Sequence, residues 1–286
     1  MNGDIDFAFL DSGTGGIPYM LALKNKRPQA RCVYLGDTIH FPYGQKTKEE
    51  VIESASSSIG LIIKKWNPRS LVIACNTISV TALDELRARF PNLAIIGTVP
   101  AIRLASKVTR NKKIGLLATN ATVANPYNER LVRDFASDCQ VFNRGDTELI
   151  SFIEHMFFNA TKEERLAAVK PAIDFFHQRD CDTIILGCTH FTHIANEMKE
   201  AAGQDVIVVD SREGVVNQAI KVEDSISQAP VSKDEAGINH PELPDDCTFF
   251  CTGYKNQKDE EEYRTLCSNF NIPWGGVVAL EQASIV

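Results

Sequence analysis

The sequence predicts an α/β protein of two similar lobes facing each other, each a mainly parallel sheet flanked by helices. Three observations carry that prediction. Short apolar runs alternate with helix-period segments along most of the chain. The runs are continuous, as in strands buried on both faces, and strand–helix alternation builds βαβ units. Two stretches also repeat each other: L-V-I-A-C-N-T at 71–77 and I-I-L-G-C-T-H at 184–190, each leading into a helix pattern.

Phe7-Ala8-Phe9-Leu10 reads as the first strand; it opens into Asp11-Ser12-Gly13-Thr14-Gly15-Gly16 and a helix from Ile17 to Leu23. Val33-Tyr34-Leu35 follows, ending at Gly36-Asp37, and Pro42-Tyr43-Gly44 is a turn by composition. Leu71 to Ala74 leads into Cys75-Asn76-Thr77 and a helix with Val80, Leu83, Leu86 and Phe90 on one side, and Ile95-Ile96 is the next strand. Ile114 to Leu117 runs into Ala118-Thr119, and Thr183 to Leu186 into Gly187-Cys188-Thr189-His190, before a helix carrying Ile194 and Met198. Val206 to Val209 ends at Asp210-Ser211. In open parallel sheets ligands sit beyond the carboxyl ends of the strands, where these polar clusters lie. The expected lobes are 1–98 and 99–210, with 211–286 returning to the first; residues 223–246, acidic and poorly periodic, read as a long surface connection.

Composition narrows the function. The 286 residues are 44% hydrophobic and 23% charged, ordinary globular usage. A net charge of −7 excludes a broad nucleic-acid surface, which needs clustered Lys and Arg. A small anionic substrate remains compatible with it. No run approaches the ~18 apolar residues that span a bilayer. The start, Met1 to Asp6, lacks the flank and apolar stretch of a signal peptide, so a cytoplasmic location is expected. There the eight cysteines, at 32, 75, 139, 181, 188, 247, 251 and 267, are expected as thiols.

Cys75 and Cys188 each follow a strand and precede a helix pattern, where unpaired amides favour an anion. Either alone reads equally well as a small buried residue; two at equivalent places favour function. Cys32, Cys139 and Cys181 flank strands without polar company and read as structural. Cys247, Cys251 and Cys267 with His240 lack the second close pair of a zinc site. The loop Gly13 to Gly16 fails the dinucleotide pattern, because Pro18 takes the third glycine place, yet such a turn can cradle a carboxylate. Asp11 is a helix cap or a proton-handling group. Thr119 and Thr122 offer a cap with spare hydroxyls, and His190 gains interest from Cys188, with His193 as competitor.

Taken together, L-D-S-G-T-G-G, G-D-T-I-H-F-P-Y-G, I-A-C-N-T, L-L-A-T-N-A-T-V and L-G-C-T-H, in that order, resemble the glutamate racemases of the cofactor-independent aspartate/glutamate racemase superfamily. A weaker match, F-F-C-T-G-Y at 249–254, suggests that family's C-terminal strand and helix. The resemblance implies an active site between two lobes and interconversion of L- and D-glutamate without cofactor or metal, supplying D-glutamate for peptidoglycan. It implies Cys75 and Cys188 as the acid/base pair, assisted by Asp11 and His190. It also implies substrate contacts from Asp11, Ser12, Pro42, Tyr43, Gly44, Asn76, Thr77, Thr119, Thr122, Glu148 and Thr189. The expected partner is L- or D-glutamate, with neither nucleic acid nor membrane, and a homodimer is left open. Aspartate racemisation is the alternative within the superfamily. From other classes come a non-catalytic amino-acid binder, which needs no paired cysteines, and a cysteine hydrolase using Cys188 and His190, which leaves Cys75 idle.

Overall fold

The computed structural model describes residues 5–227 and 244–280. Among these residues ten strands form two sheets, both parallel throughout. The first contains β1 (Phe7–Asp11), β2 (Cys32–Gly36), β3 (Ser70–Ile73), β4 (Ala94–Gly97), β9 (Thr248–Cys251) and β10 (Trp274–Val277). The second contains β5 (Lys113–Ala118), β6 (Gln140–Gly145), β7 (Thr183–Leu186) and β8 (Ile207–Val209). Strand order is β10-β9-β2-β1-β3-β4 in one and β6-β5-β7-β8 in the other. The segment β2-β1-β3-β4 therefore has the same order as β6-β5-β7-β8, so the internal repeat in the sequence is a repeat of topology.

The helices of the first half are α1 (Ile17–Lys26), α2 (Lys48–Trp66), α3 (Asn76–Arg89), α4 (Ile102–Val108), α5 (Asn120–Ala124) and α6 (Pro126–Phe135). Those of the second are α7 (Thr147–His155), α8 (Lys162–His177), α9 (Ala195–Ala202), α10 (Arg212–Ser227) and α11 (Gln257–Phe270). Capping chemistry sets several starts. Thr47 and Glu50 close a capping box on α2, and Thr161 and Glu164 do the same on α8. In α3 the buried line is Ile78, Ala82 and Leu86, while Val80 and Leu83 are only half-buried. The expected stripe is thus rotated: the small Ala82 lets the helix sit close, and Leu83 packs beside Gly97.

Both faces of the first sheet are covered, which explains its continuous apolar runs. Ala8, Leu10, Val33 and Leu35 pack with residues of α2 and α3. Phe9, Tyr34 and Val72 belong to a core that also holds Leu117, Ile184 and Phe191, so one apolar core spans both sheets. Ile114, Leu116 and Ile185 face α4 in a smaller cluster.

Two expectations need correction. Residues 223–227 are the last turn of α10, not surface connection, while 228–243, including His240, lie outside the described residues. Strands β6 and β10 have no counterpart in the sequence reading. Each is an edge strand with one neighbour, and its half-exposed faces need no apolar run.

Candidate active site

In each sheet the strand order reverses direction between a central pair: β1 and β3 in one, β5 and β7 in the other. Ligand crevices form at such points, beyond the carboxyl ends of the strands. Asp11 ends β1 and Cys75 follows β3; Thr119 follows β5 and Cys188 follows β7. All four ends converge. Ser12, Cys75 and Thr77 from one sheet, with Thr119, Cys188, Thr189 and His190 from the other, line one cavity of about 20 Å³. The run from Phe41 to Gln45, with Thr147 and Ile150, completes its wall. That volume holds about one water molecule.

Cys75 caps the N-terminus of α3 with its Sγ 4.0 Å from the Ser12 hydroxyl. Burial pushes its thiol well above the ordinary range, and the Asp11 charge adds to this, while the Ile78 N–H opposes it. Asp11 is fully buried: Oδ1 accepts from the Ser12 N–H at 2.7 Å, and Oδ2 from the Thr189 hydroxyl at 3.0 Å. Burial raises the Asp11 carboxyl, only partly offset by the His190 charge and the Ser12 N–H. The Asp11–Thr189 bond ties the two strand-end loops together.

Cys188 caps a four-residue 3₁₀ turn, Thr189–Thr192, with α9 starting only at Ala195. This corrects the expectation of a helix directly after it. The charge that faces this sulfur comes instead from a side chain, with Cys188 Sγ 3.8 Å from His190 Nδ1. Burial alone would lower the His190 pKa, but contacts with Cys188 and Glu154 outweigh it and raise it well above the ordinary value. His190 Nε2 donates to Glu154 Oε2 at 2.8 Å, and both residues are buried. Burial would raise the Glu154 carboxyl, but His190 and Thr14 hold it below the ordinary value.

Glu154 was not singled out by the sequence reading. Its second oxygen accepts from the Tyr263 hydroxyl at 3.1 Å, and Thr14 donates both N–H (2.9 Å) and hydroxyl (2.7 Å) to Oε2. The glycine-rich loop does cradle a carboxylate, but it is the protein's own. A Cβ on Gly13 would stand 2.6 Å from Glu154 Oε2, and one on Gly15 would stand 2.5 Å from the His190 nitrogen. The signal for Glu154 was present in sequence: an acid at the next place of the line Ile150, Ile153, Glu154, where a helix buries its apolar residues.

Glu148, expected at the substrate, is exposed and lies outside this cavity; it lines a neighbouring chamber with Thr147 and Ser151. Six residues before Glu154 on α7, it falls on another face of the helix. Thr77 Oγ1 meets Thr119 Oγ1 at 3.0 Å, and Thr119 bonds Thr122 Oγ1 at 2.9 Å, a hydroxyl cluster joining the two sheets. Asn76 is buried, and neither amide atom has a hydrogen-bond partner among the described residues. Tyr43 is fixed by its hydroxyl donating to buried Asp37, which also accepts from Thr252 at 3.0 Å. His193 turns away to the Thr14 carbonyl at 3.0 Å, and burial lowers its pKa to about 4. Cys247, Cys251 and Cys267 are buried in the apolar core. Among the described residues no group of three or more His, Cys, Asp or Glu could hold a metal ion, and no helix is long and apolar enough to cross a membrane.

A family model described as Asp/Glu/hydantoin racemase matches residues 21–219. The chain is 33% identical over 270 residues to glutamate racemase of Treponema pallidum (strain Nichols), covering 94% of this chain and 95% of that one. It is 36% identical over 203 residues to the glutamate racemase of Proteus mirabilis, 70% of each chain. A solved structure of Escherichia coli glutamate racemase, in complex with L-glutamate and the activator UDP-MurNAc-Ala, has the same fold: TM-score 0.80 at 24% identity, over 97% of this chain and 99% of that one. Glutamate racemase from Aquifex pyrophilus matches with TM-score 0.67 at 25% identity, over 96% and 98%. By sequence and by architecture, the chain belongs to the Asp/Glu/hydantoin racemase family and is an amino-acid racemase.

Proposed function

We propose that the protein interconverts L- and D-glutamate by a two-base mechanism, with Cys75 and Cys188 as the acid/base pair. The observation that carries this is the pair of buried thiols lining one cavity from equivalent strand ends, each beside its own proton-handling partner. Inversion at Cα needs a base on one face and an acid on the other. His190, held protonated by Glu154, supplies the counter-charge for an anionic Cys188 sulfur, which takes the proton from L-glutamate. Cys75, a thiol beside Asp11, delivers a proton to the opposite face; for D-glutamate the roles exchange.

The carbanion next to a carboxylate needs donors already in place. Thr77, Thr119, Thr122 and Thr189 hydroxyls, Ser12 and the unpartnered Asn76 amide are suited to hold the carboxylates and ammonium, with Tyr43, Pro42 and Gly44 closing the wall. The scheme calls for no cofactor. The lobes are 1–98 with 211–286, and 99–210. They must part to admit the substrate, because a ten-heavy-atom amino acid exceeds a cavity of about 20 Å³. We place the enzyme in the cytoplasm, supplying D-glutamate for peptidoglycan.

The test is to incubate the purified protein with L-glutamate, without added pyridoxal phosphate or metal, and follow optical rotation. Decay to zero is expected. No change on glutamate with decay on L-aspartate would move the substrate assignment to the shorter acid; no change on either would favour a binder.

A further inference from the structure

The cavity that holds the thiols adjoins a second chamber of about 280 Å³. The two share Phe41, Pro42, Gln45 and Thr147 as walls. Phe41 stands between them, with its ring 5.6 Å from the His190 ring on the cavity side and 5.6 Å, edge-on, from the His155 ring on the chamber side. His155 Nδ1 lies 3.4 Å from Asp259 Oδ1 without hydrogen-bond geometry. The chamber's fixed charges are one of each sign. Lys255 is exposed and forms no ion pair among the described residues, and Glu148 is an exposed carboxylate on α7.

We infer that this chamber is the entry subsite for a dicarboxylic amino acid, with Lys255 receiving a carboxylate and Glu148 the α-ammonium before the substrate passes Phe41. The inference rests on the glutamate reading above and specifies how that substrate arrives. Three features support it. The inner cavity holds about one water molecule until the lobes part, and a ligand waiting for that opening has this neighbouring pocket beside it. The chamber is large enough for an amino acid and adjoins the inner cavity through shared walls. A cation and an anion in one chamber match a ligand with both an ammonium and an additional carboxylate, and give Glu148 a place in binding outside the thiol cavity. A surface cation at the mouth of a site that takes an anion raises the encounter rate and makes it fall with ionic strength.

The experiment measures the association rate of glutamate with the full-length enzyme, from the broadening of free glutamate NMR resonances, alongside kcat from the racemisation assay. For Lys255→Gln we expect association slowed about fivefold, a flatter dependence on salt, and kcat at saturation within about twofold of wild type. Lys255→Arg should restore the association rate. An association rate unchanged in Lys255→Gln, with the wild type racemising glutamate, overturns the entry subsite and leaves the catalytic reading intact. So does a kcat that falls as far as the association rate, because Lys255 would then act in chemistry. A wild type that neither racemises nor broadens glutamate overturns both.

Discussion

Replacing Gly15 with Ala tests whether the two halves of the site are held in register by contact across the loops. A methyl at Gly15 would lie 2.5 Å from the His190 backbone nitrogen, 2.7 Å from its Nδ1 and 2.8 Å from Thr189 Oγ1. Ordinary contact begins at 3.4 Å, so the His190 loop must retreat about 0.9 Å. None of the three atoms is the end of a flexible chain: one is backbone, and the other two are bonded to Cys188 and Asp11. Overpacking of this kind costs roughly 1–3 kcal/mol of stability. A displacement near 1 Å between reacting groups costs about 10²-fold in rate. The same change at Gly60, in α2 with nothing within 4 Å, is the control and should instead stabilise by about 0.5–1 kcal/mol. Racemisation kinetics and thermal melts of both variants provide the readout. A Gly15→Ala enzyme with kcat within about threefold of wild type and an unchanged melt would refute the contact argument.

Cys75→Ala and Cys188→Ala should each lose at least roughly a thousandfold in rate, while Cys247→Ala, if folded, should not; equal losses would undo the sorting of the cysteines. In Glu154→Gln the buried imidazolium loses its counter-ion. His190's raised pKa contributes stability below its unfolded value of ~6.5, and Glu154's lowered one above ~4.3. The difference in urea midpoint from wild type should therefore be widest between those values and narrow on either side; a constant difference across pH would contradict the ion pair. Asp11, raised by burial, penalises folding once pH passes its unfolded value, so Asp11→Asn should melt higher than wild type at pH 7. The two enantiomers are equal in free energy, so kcat/KM must fall equally in both directions for any variant. Only isotope effects can assign partners. With Asp11→Asn the effect should grow with Cα-deuterated D-glutamate and shrink with the L-isomer, and His190→Asn should reverse this. Shifts in the same sense would break the proposed pairing of helper to thiol.

The central strands were legible because burial on both faces leaves uninterrupted apolar runs, as in Phe7 to Leu10 and Leu71 to Ile73. The strand-end clusters followed, since a parallel sheet leaves its polar turns at one edge. What escaped was set by distant partners. Glu154 looks like any helix acid until Thr14, His190 and Tyr263, 140, 36 and 109 residues away, surround it. Glu148 rests on a family likeness alone, and its exposed position beside the thiol cavity depends on which face of α7 turns inward. The 3₁₀ turn after Cys188 and a helix begin with the same short-range pattern, and only the backbone path over Thr189–Thr192 separates them.

The matched strand orders β2-β1-β3-β4 and β6-β5-β7-β8 also bear on handedness. Each copy of the motif sets one sulfur beyond its third strand, and the copies meet end to end. In the proposed mechanism, a planar carbon held where they meet would be approached by one copy from above and by the other from below. Stereochemical evenness would then be a property of the duplicated backbone, present before any side chain is chosen. The unequal companions, a carboxylate for Cys75 and an imidazole for Cys188, break that evenness only in where the resting proton sits. Under the proposed two-thiol scheme they would distinguish the two proton transfers, while the equilibrium stays at one to one.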